Sequence, residues 1–151
     1  MPNRLPLPAF STAQLPEFQD LLAPDGSEVR ILSVASRGGM AHFRLQPGMI
    51  SHAVQHRTVE EIWYVLEGNG EIWRSANGHE LVTALTPGTS VSIPVGTAFQ
   101  FRAFGEAPLS ILGVTMPPWP GNDEAILISG KWPASAPGDI RSDKIDNSDA
   151  V

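Results

Sequence analysis

The sequence predicts an all-β domain of barrel or jelly-roll type, and three features carry that prediction. Nine short runs between residues 29 and 116 are apolar throughout or alternate apolar with polar, the pattern of buried and half-buried strands. The breaks between them are rich in turn formers: Gly38-Gly39, Pro47-Gly48, Gly68-Asn69-Gly70, Asn77-Gly78, Pro87-Gly88, and Gly105 with Pro108. No stretch inside this region carries a helical pattern, so a closed or sandwiched arrangement of many short strands is the economical solution.

In chain order, residues 1–27 form a proline-rich arm, with Pro2, Pro6 and Pro8 near its start. One short helix is expected in it, around residues 13–22, with Thr12 as cap and Pro16 in its first turn. The barrel spans 28–117. Its expected strands cover residues 29–35, 40–46, 49–56, 61–68, 70–74, 79–85, 89–94, 99–104 and 109–116. Between the sixth of these and the fifth, Asn77-Gly78 signals a two-residue hairpin, because both residues tolerate positive φ. Residues 118–132 are stiffened by proline and are expected to pack back on the barrel through Trp119, Ile126, Ile128 and Trp132. The stretch 133–151 is small, polar and charged, and reads as a loosely ordered tail.

Composition narrows the functions. A formal charge of −6 with scattered basic residues argues against a nucleic-acid partner, which needs clustered Lys and Arg. There is no cysteine, so neither a disulfide nor a thiolate nucleophile or ligand is available. No run approaches the roughly 18 apolar residues that cross a bilayer, and the first residues lack the apolar core of a signal peptide. A cytoplasmic location and no membrane partner are the expectation.

Two glycine-bounded segments carry the chemistry. In the first, Gly48 is followed by Val54-Gln55-His56, then Glu61, then Gly68; in the second, Gly88 is followed by Pro94-Val95-Gly96, then Phe99 and Ala103. This register resembles the two motifs of the cupin family, and the chain is similar to a small single-domain cupin over residues 28–117. The resemblance implies a cupin-type jelly-roll β-barrel and a homodimer, with the N-terminal arm free to cross to a neighbour. It also places metal ligands at positions 54, 56, 61 and 99. Those positions hold Val54, His56, Glu61 and Phe99, so two of the four offer no donor atom. A stable site for Zn, Fe, Mn or Ni needs three or more. His52 shares the alternation of 54 and 56, but along a strand it lies about 13 Å from His56. The expected state is therefore a degenerate metal site: no tightly bound cofactor, or a divalent metal held by His56, Glu61 and His52.

Alternation also turns Trp63 and Val65 to the side of Glu61 and leaves Glu60 in solvent, and Trp73 and Phe101 are expected to join the interior. Three functions fit these residues. One is a small-molecule-binding cupin with a metal-poor apolar pocket walled by His52, Val54, Trp63, Phe99 and Phe101, in which His56 and Glu61 transfer protons as in an isomerase. The second is a metal-dependent oxygenase or isomerase with an atypical ligand set. The third is a non-catalytic dimeric sensor or interaction module. Two bland readings stand beside them. Phe99 and Val54 could fill a closed core with His56 satisfied by Glu61, and strand arginines such as Arg44, Arg57, Arg74 and Arg102 are more often exposed than clamped on a ligand carboxylate.

Overall fold

Strands form where the alternation predicts them. The computed structural model describes residues 9–138. Its strands are β1 (Leu21–Leu22), β2 (Glu28–Val34), β3 (Gly39–Leu45), β4 (Val54–His56), β5 (Glu60–Glu67), β6 (Asn69–Ala76), β7 (His79–Leu85), β8 (Ser90–Ile93), β9 (Ala98–Phe104), β10 (Leu109–Met116) and β11 (Ala125–Leu127), with one 3-10 turn at Asn122–Glu124. They build two antiparallel sheets, ordered β1-β2-β3-β10-β5-β8 and β11-β4-β9-β6-β7. This is the jelly-roll arrangement the sequence predicts. No helix long and apolar enough to cross a membrane occurs among the described residues.

The motif glycines serve the backbone. Gly48, Gly68, Gly88 and Gly96 all have positive φ, which a side chain resists. Gly68 is the tightest, because a Cβ there would lie 2.3 Å from the Pro108 carbonyl oxygen. The Asn77-Gly78 hairpin forms as expected, with φ of 53° and 76°, and joins β6 to β7 with Ala76 opposite His79.

Several expectations change. Residues 13–22 form no helix; Leu21–Leu22 is a strand paired with β2. The arm is instead held by side chains of its neighbours: Arg30 donates to the Pro16 and Glu17 carbonyls, and Asp20 accepts from the Ile31 N–H. Strand 49–56 shrinks to Val54–His56: the chain before it still touches β9, with Ser51 N–H on the Phe101 carbonyl and Ile50 opposite Arg102, but the register slips before Val54 and His52 N–H turns to the Asp25 carbonyl. Trp73 lies on the opposite face of β6 from Ile72, opposite Gln100, and bonds Glu80 rather than joining the interior beside Phe101. Of the predicted tail, residues 133–138 are described, and Ser135 and Ala136 both donate to the Ile50 carbonyl. Residues 139–151 lie outside the described part.

The interior divides into two levels along β3, β5, β9 and β10. On β3, Ala41 and Phe43 face a cavity while Leu45 is core; on β5, Glu61 and Trp63 face it while Val65 is core. Likewise Thr115 faces it where Ile111 and Leu109 are core, and Phe99 where Phe101 and Ala103 are core. The ladder makes this a level, since Thr115 pairs Glu61, and Val54 pairs Phe99. One end of the sandwich is packed solid, and the other is open.

The C-terminal segment completes the open end. Ala125, on the edge strand β11, pairs His56 of β4. The preceding residue, Glu124, is buried, and its carboxylate accepts from Thr58 N–H, Thr58 Oγ1 and Val59 N–H. Burial raises its pKa, but these three bonds outweigh burial and hold it below the ordinary 4.5. We predict that Glu124→Ala lowers stability by about 2–3 kcal/mol, since three donors lose a charged acceptor. Because the depressed carboxyl stabilises the fold only while ionised, the difference between wild type and Glu124→Ala should be full above pH 4.5 and shrink as pH falls through the lower folded value. Thermal melts across that range check this; an unchanged melting temperature at neutral pH would refute it.

Candidate functional site

β5 and β4 bring the two retained polar residues of the first motif face to face. Glu61 points inward because it alternates with exposed Glu60, and His56 ends β4 on the opposite sheet. His56 Nδ1 and Glu61 Oε2 are 3.8 Å apart, too far for a hydrogen bond, with exposures of 6% and 4%. His56 is instead packed edge-on between aromatic rings, Phe99 at 5.2 Å and Trp119 at 5.0 Å between centroids. The expected hydrogen bond between the pair is thus absent. Both His56 Nδ1 and Trp63 Nε1 are buried without a hydrogen-bond partner.

These groups wall a cavity of about 340 Å³. Phe99 forms one wall of it and does not fill it. Val54, Phe43, Val29 and Trp119 are among its apolar lining, and Gly113, behind Phe43 and Trp63, leaves room for both rings because a Cβ there would lie 2.4 Å from Phe43.

Electrostatics sets both groups neutral at pH 7. Burial pushes the Glu61 carboxyl up to about 8, helped by the negative charge of nearby Asp25 and opposed by the Trp63 indole N–H, which faces it outside hydrogen-bond geometry. Burial lowers His56 to about 4, against the charge of Glu124. The imidazole is thus held unprotonated. Of the pair, the carboxyl keeps the proton. Asp25 also lines the cavity; burial raises its carboxyl, against hydrogen bonds from the Ser27 hydroxyl and N–H and the charge of His52.

Of the residues singled out from sequence, His56, Glu61, Val54, Trp63 and Phe99 meet at the cavity. Phe101 does not reach it; fully buried, it packs edge-on behind Trp63 at 5.0 Å. His52 is not brought to it either. Its backbone has left the strand, and its Nε2 lies 3.0 Å from the Ala136 carbonyl oxygen. Arg44, Arg57, Arg74 and Arg102 are absent from the wall; Arg102, for example, pairs with Glu71 and stacks on Trp132. Sequence reasoning missed Thr115, Asp25 and Trp119 as wall residues. Alternation along β10 would have found Thr115, whereas Asp25 sits in a turn that carries no periodic signal.

Comparison with known proteins agrees with this architecture. A sequence model of the family described as "Cupin domain" matches residues 41–115. The chain belongs to the cupin superfamily. An uncharacterized protein of Methanocaldococcus jannaschii is 34% identical over 73 residues, 48% of this chain and 55% of that protein. Among solved structures, a variant of the oxalate decarboxylase of Bacillus subtilis is similar over 79% of this chain and 32% of its own, with a TM-score of 0.64 and 18% identity. The capsular polysaccharide assembling protein CapF of Staphylococcus aureus is similar over 70% of this chain and 30% of its own (TM-score 0.61, 16% identity). KdgF from Halomonas sp. covers 67% of this chain and 87% of its own (TM-score 0.55, 21% identity). At these identities the structural likeness is one of fold. The cupin spans about half the length of the archaeal relative and a third of the two larger structures.

The donor set of this cupin does not fit the metal its family motif implies. Val54 and Phe99 occupy two ligand positions with carbon alone, and His52 adds no third donor to the remaining pair, since it is turned to Ala136. Among the described residues no group of three His, Cys, Asp or Glu is arranged to hold an ion. Two outcomes follow. Saturating Zn²⁺, Mn²⁺, Fe²⁺ or Ni²⁺ should leave the melting temperature of metal-stripped protein unchanged; a rise abolished by His56→Ala would overturn this assignment. Glu61 provides the second. Its raised pKa means that stability is full below 4.5 and is lost as pH rises through about 8, because the unfolded chain ionises first. Glu61→Gln, neutral at every pH, should therefore gain on wild type steadily between 4.5 and 8, which melts at several pH values will show.

Proposed function

We propose that this cupin binds a small organic molecule in the open end of its barrel and moves a proton on it, without a tightly bound metal. The observation that carries the reading is the cavity: about 340 Å³ of space with Glu61 and His56 on its wall, where a relict core would have been filled. A neutral carboxyl and a neutral imidazole, set on facing sheets, form an acid and a base whose environments drive their pKa values apart, to about 8 and about 4. Such a pair suits keto–enol isomerisation. Glu61 gives its proton to a carbonyl oxygen while His56 takes the proton from the adjacent carbon; the enol, the carboxylate and the imidazolium balance the step. Delivery of the imidazolium proton to another carbon of the enol system, with return of the enol O–H proton to Glu61, completes an isomerisation. The apolar wall keeps water from competing and strengthens both interactions.

The test is hydrogen exchange. Incubated in D2O with a panel of small ketones and aldehydes, the protein should catalyse deuterium uptake beside the carbonyl of at least one of them, followed by NMR. His56→Ala and Glu61→Gln should each slow it by about 10²-fold or more. The rate should be greatest between pH values of about 4 and about 8, since the base must be unprotonated and the acid protonated. Exchange that both substitutions leave untouched would sink the proposal.

A further inference from the structure

The cavity's ionisable groups are one-sided. Among the described residues, Asp25, His56 and Glu61 are the only titratable side chains on its wall, and no Arg or Lys is among those that line it. A ligand carboxylate or phosphate would therefore be buried beside two acids with no cation, an arrangement whose desolvation nothing offsets. A ligand ammonium could pair with those acids but would leave a different debt. Trp63 Nε1 is a donor only, it is buried without a partner, and an ammonium has no lone pair to offer it. The group that settles beside Trp63 must accept a hydrogen bond. The protonated Glu61 carboxyl offers a second donor to the same place.

The remaining surface asks for carbon. Phe43, Val54, Phe99 and Trp119 wall the interior. At the rim, Ile31, Val34 and Met40 line the same cavity yet are 54%, 53% and 39% exposed. Apolar surface continuous from rim to floor is left in water until something apolar covers it. We propose that the cavity takes an uncharged, largely apolar molecule bearing one hydrogen-bond acceptor such as a carbonyl, with that acceptor at Trp63 and Glu61 and its carbon skeleton toward the rim. This rests on the reading of the cavity as a small-molecule site and adds the class of molecule.

Three probes of nearly equal shape separate the possibilities: 2-acetylnaphthalene, 2-naphthoate and 2-naphthylmethylammonium, titrated calorimetrically into the full chain at neutral pH. The ketone should bind about tenfold or more tighter than either ion, the ratio that desolvating an unpaired charge commands. Val54→Trp, which fills the cavity, should abolish its binding. Should that variant fail to fold, intermolecular NOEs from the naphthalene protons to the Trp63 and Phe99 rings in wild type locate the probe instead. Naphthoate or the ammonium binding as tightly as the ketone, inside the cavity, would overturn the neutral-ligand assignment while leaving a binding site. Binding of no probe, or of the ketone elsewhere, would overturn the cavity reading as well.

Discussion

A carboxyl group that is buried among aromatic rings must either find a cation or keep its proton, and Glu61 faces that choice with no Arg or Lys among the described residues of the cavity wall. It keeps the proton. From this constraint the rest of the site follows. His56, 3.8 Å away, has no anion to hold as an imidazolium, so burial leaves it neutral. Asp25 adds negative potential from the turn before β2 and pushes Glu61 further the same way. In a cupin with a complete ligand set the corresponding carboxylate would have a metal ion to justify its burial. Here Val54 and Phe99 face the pair with carbon alone, and the carboxyl keeps its proton.

The scaffold makes such a change tolerable because it separates what folds the chain from what the open end does. Leu45, Val65, Ile72, Leu85, Leu109, Ile111 and Phe101 fill one level of the interior to near-zero exposure. The next inward residues along β3, β5, β9 and β10 line the cavity. Substitutions at the open level change the pocket without removing the core that stabilises the sandwich. The C-terminal segment fixes the pocket's side wall: Glu124 ties it to Thr58 and Val59, β11 pairs β4 at His56, and Trp119 lies against the imidazole. Gln100, buried on the outer face of its sheet, clamps the following stretch through Ser51 and both backbone groups of Trp132.

The fold was legible because its signals are local. Positive φ at Gly48, Gly68, Gly88 and Gly96 and the Asn77-Gly78 turn are demands that the backbone makes at single positions, and only a few residue types meet them. The parity of Glu61, Trp63 and Val65 was equally legible, since β5 is regular. His52 was misplaced for the opposite reason: alternation holds only while the register does, and between Ile50, opposite Arg102, and Val54, opposite Phe99, four steps along the chain face three on β9. Trp73 failed because β6 buries both faces, one against the core and one against Glu80 and the β7 hairpin, so burial did not report direction. Asp25, Trp119 and Glu124 act from outside the strands they serve. Nothing local in the sequence says which turn closes a barrel or which carboxylate will cap a distant loop. The expected arm helix lost to sheet pairing, as Leu21 and Leu22 found partners in Val29 and Glu28.

The claim on which this account turns is the ionisation state of one side chain. A ¹³C NMR titration of the Glu61 carboxyl carbon, assigned by comparison with Glu61→Gln, measures it directly. The account predicts that Glu61 remains protonated through neutral pH and titrates near about 8. A midpoint near the ordinary 4.5 would contradict it, because an ionised Glu61 would need a cation that the cavity wall does not supply.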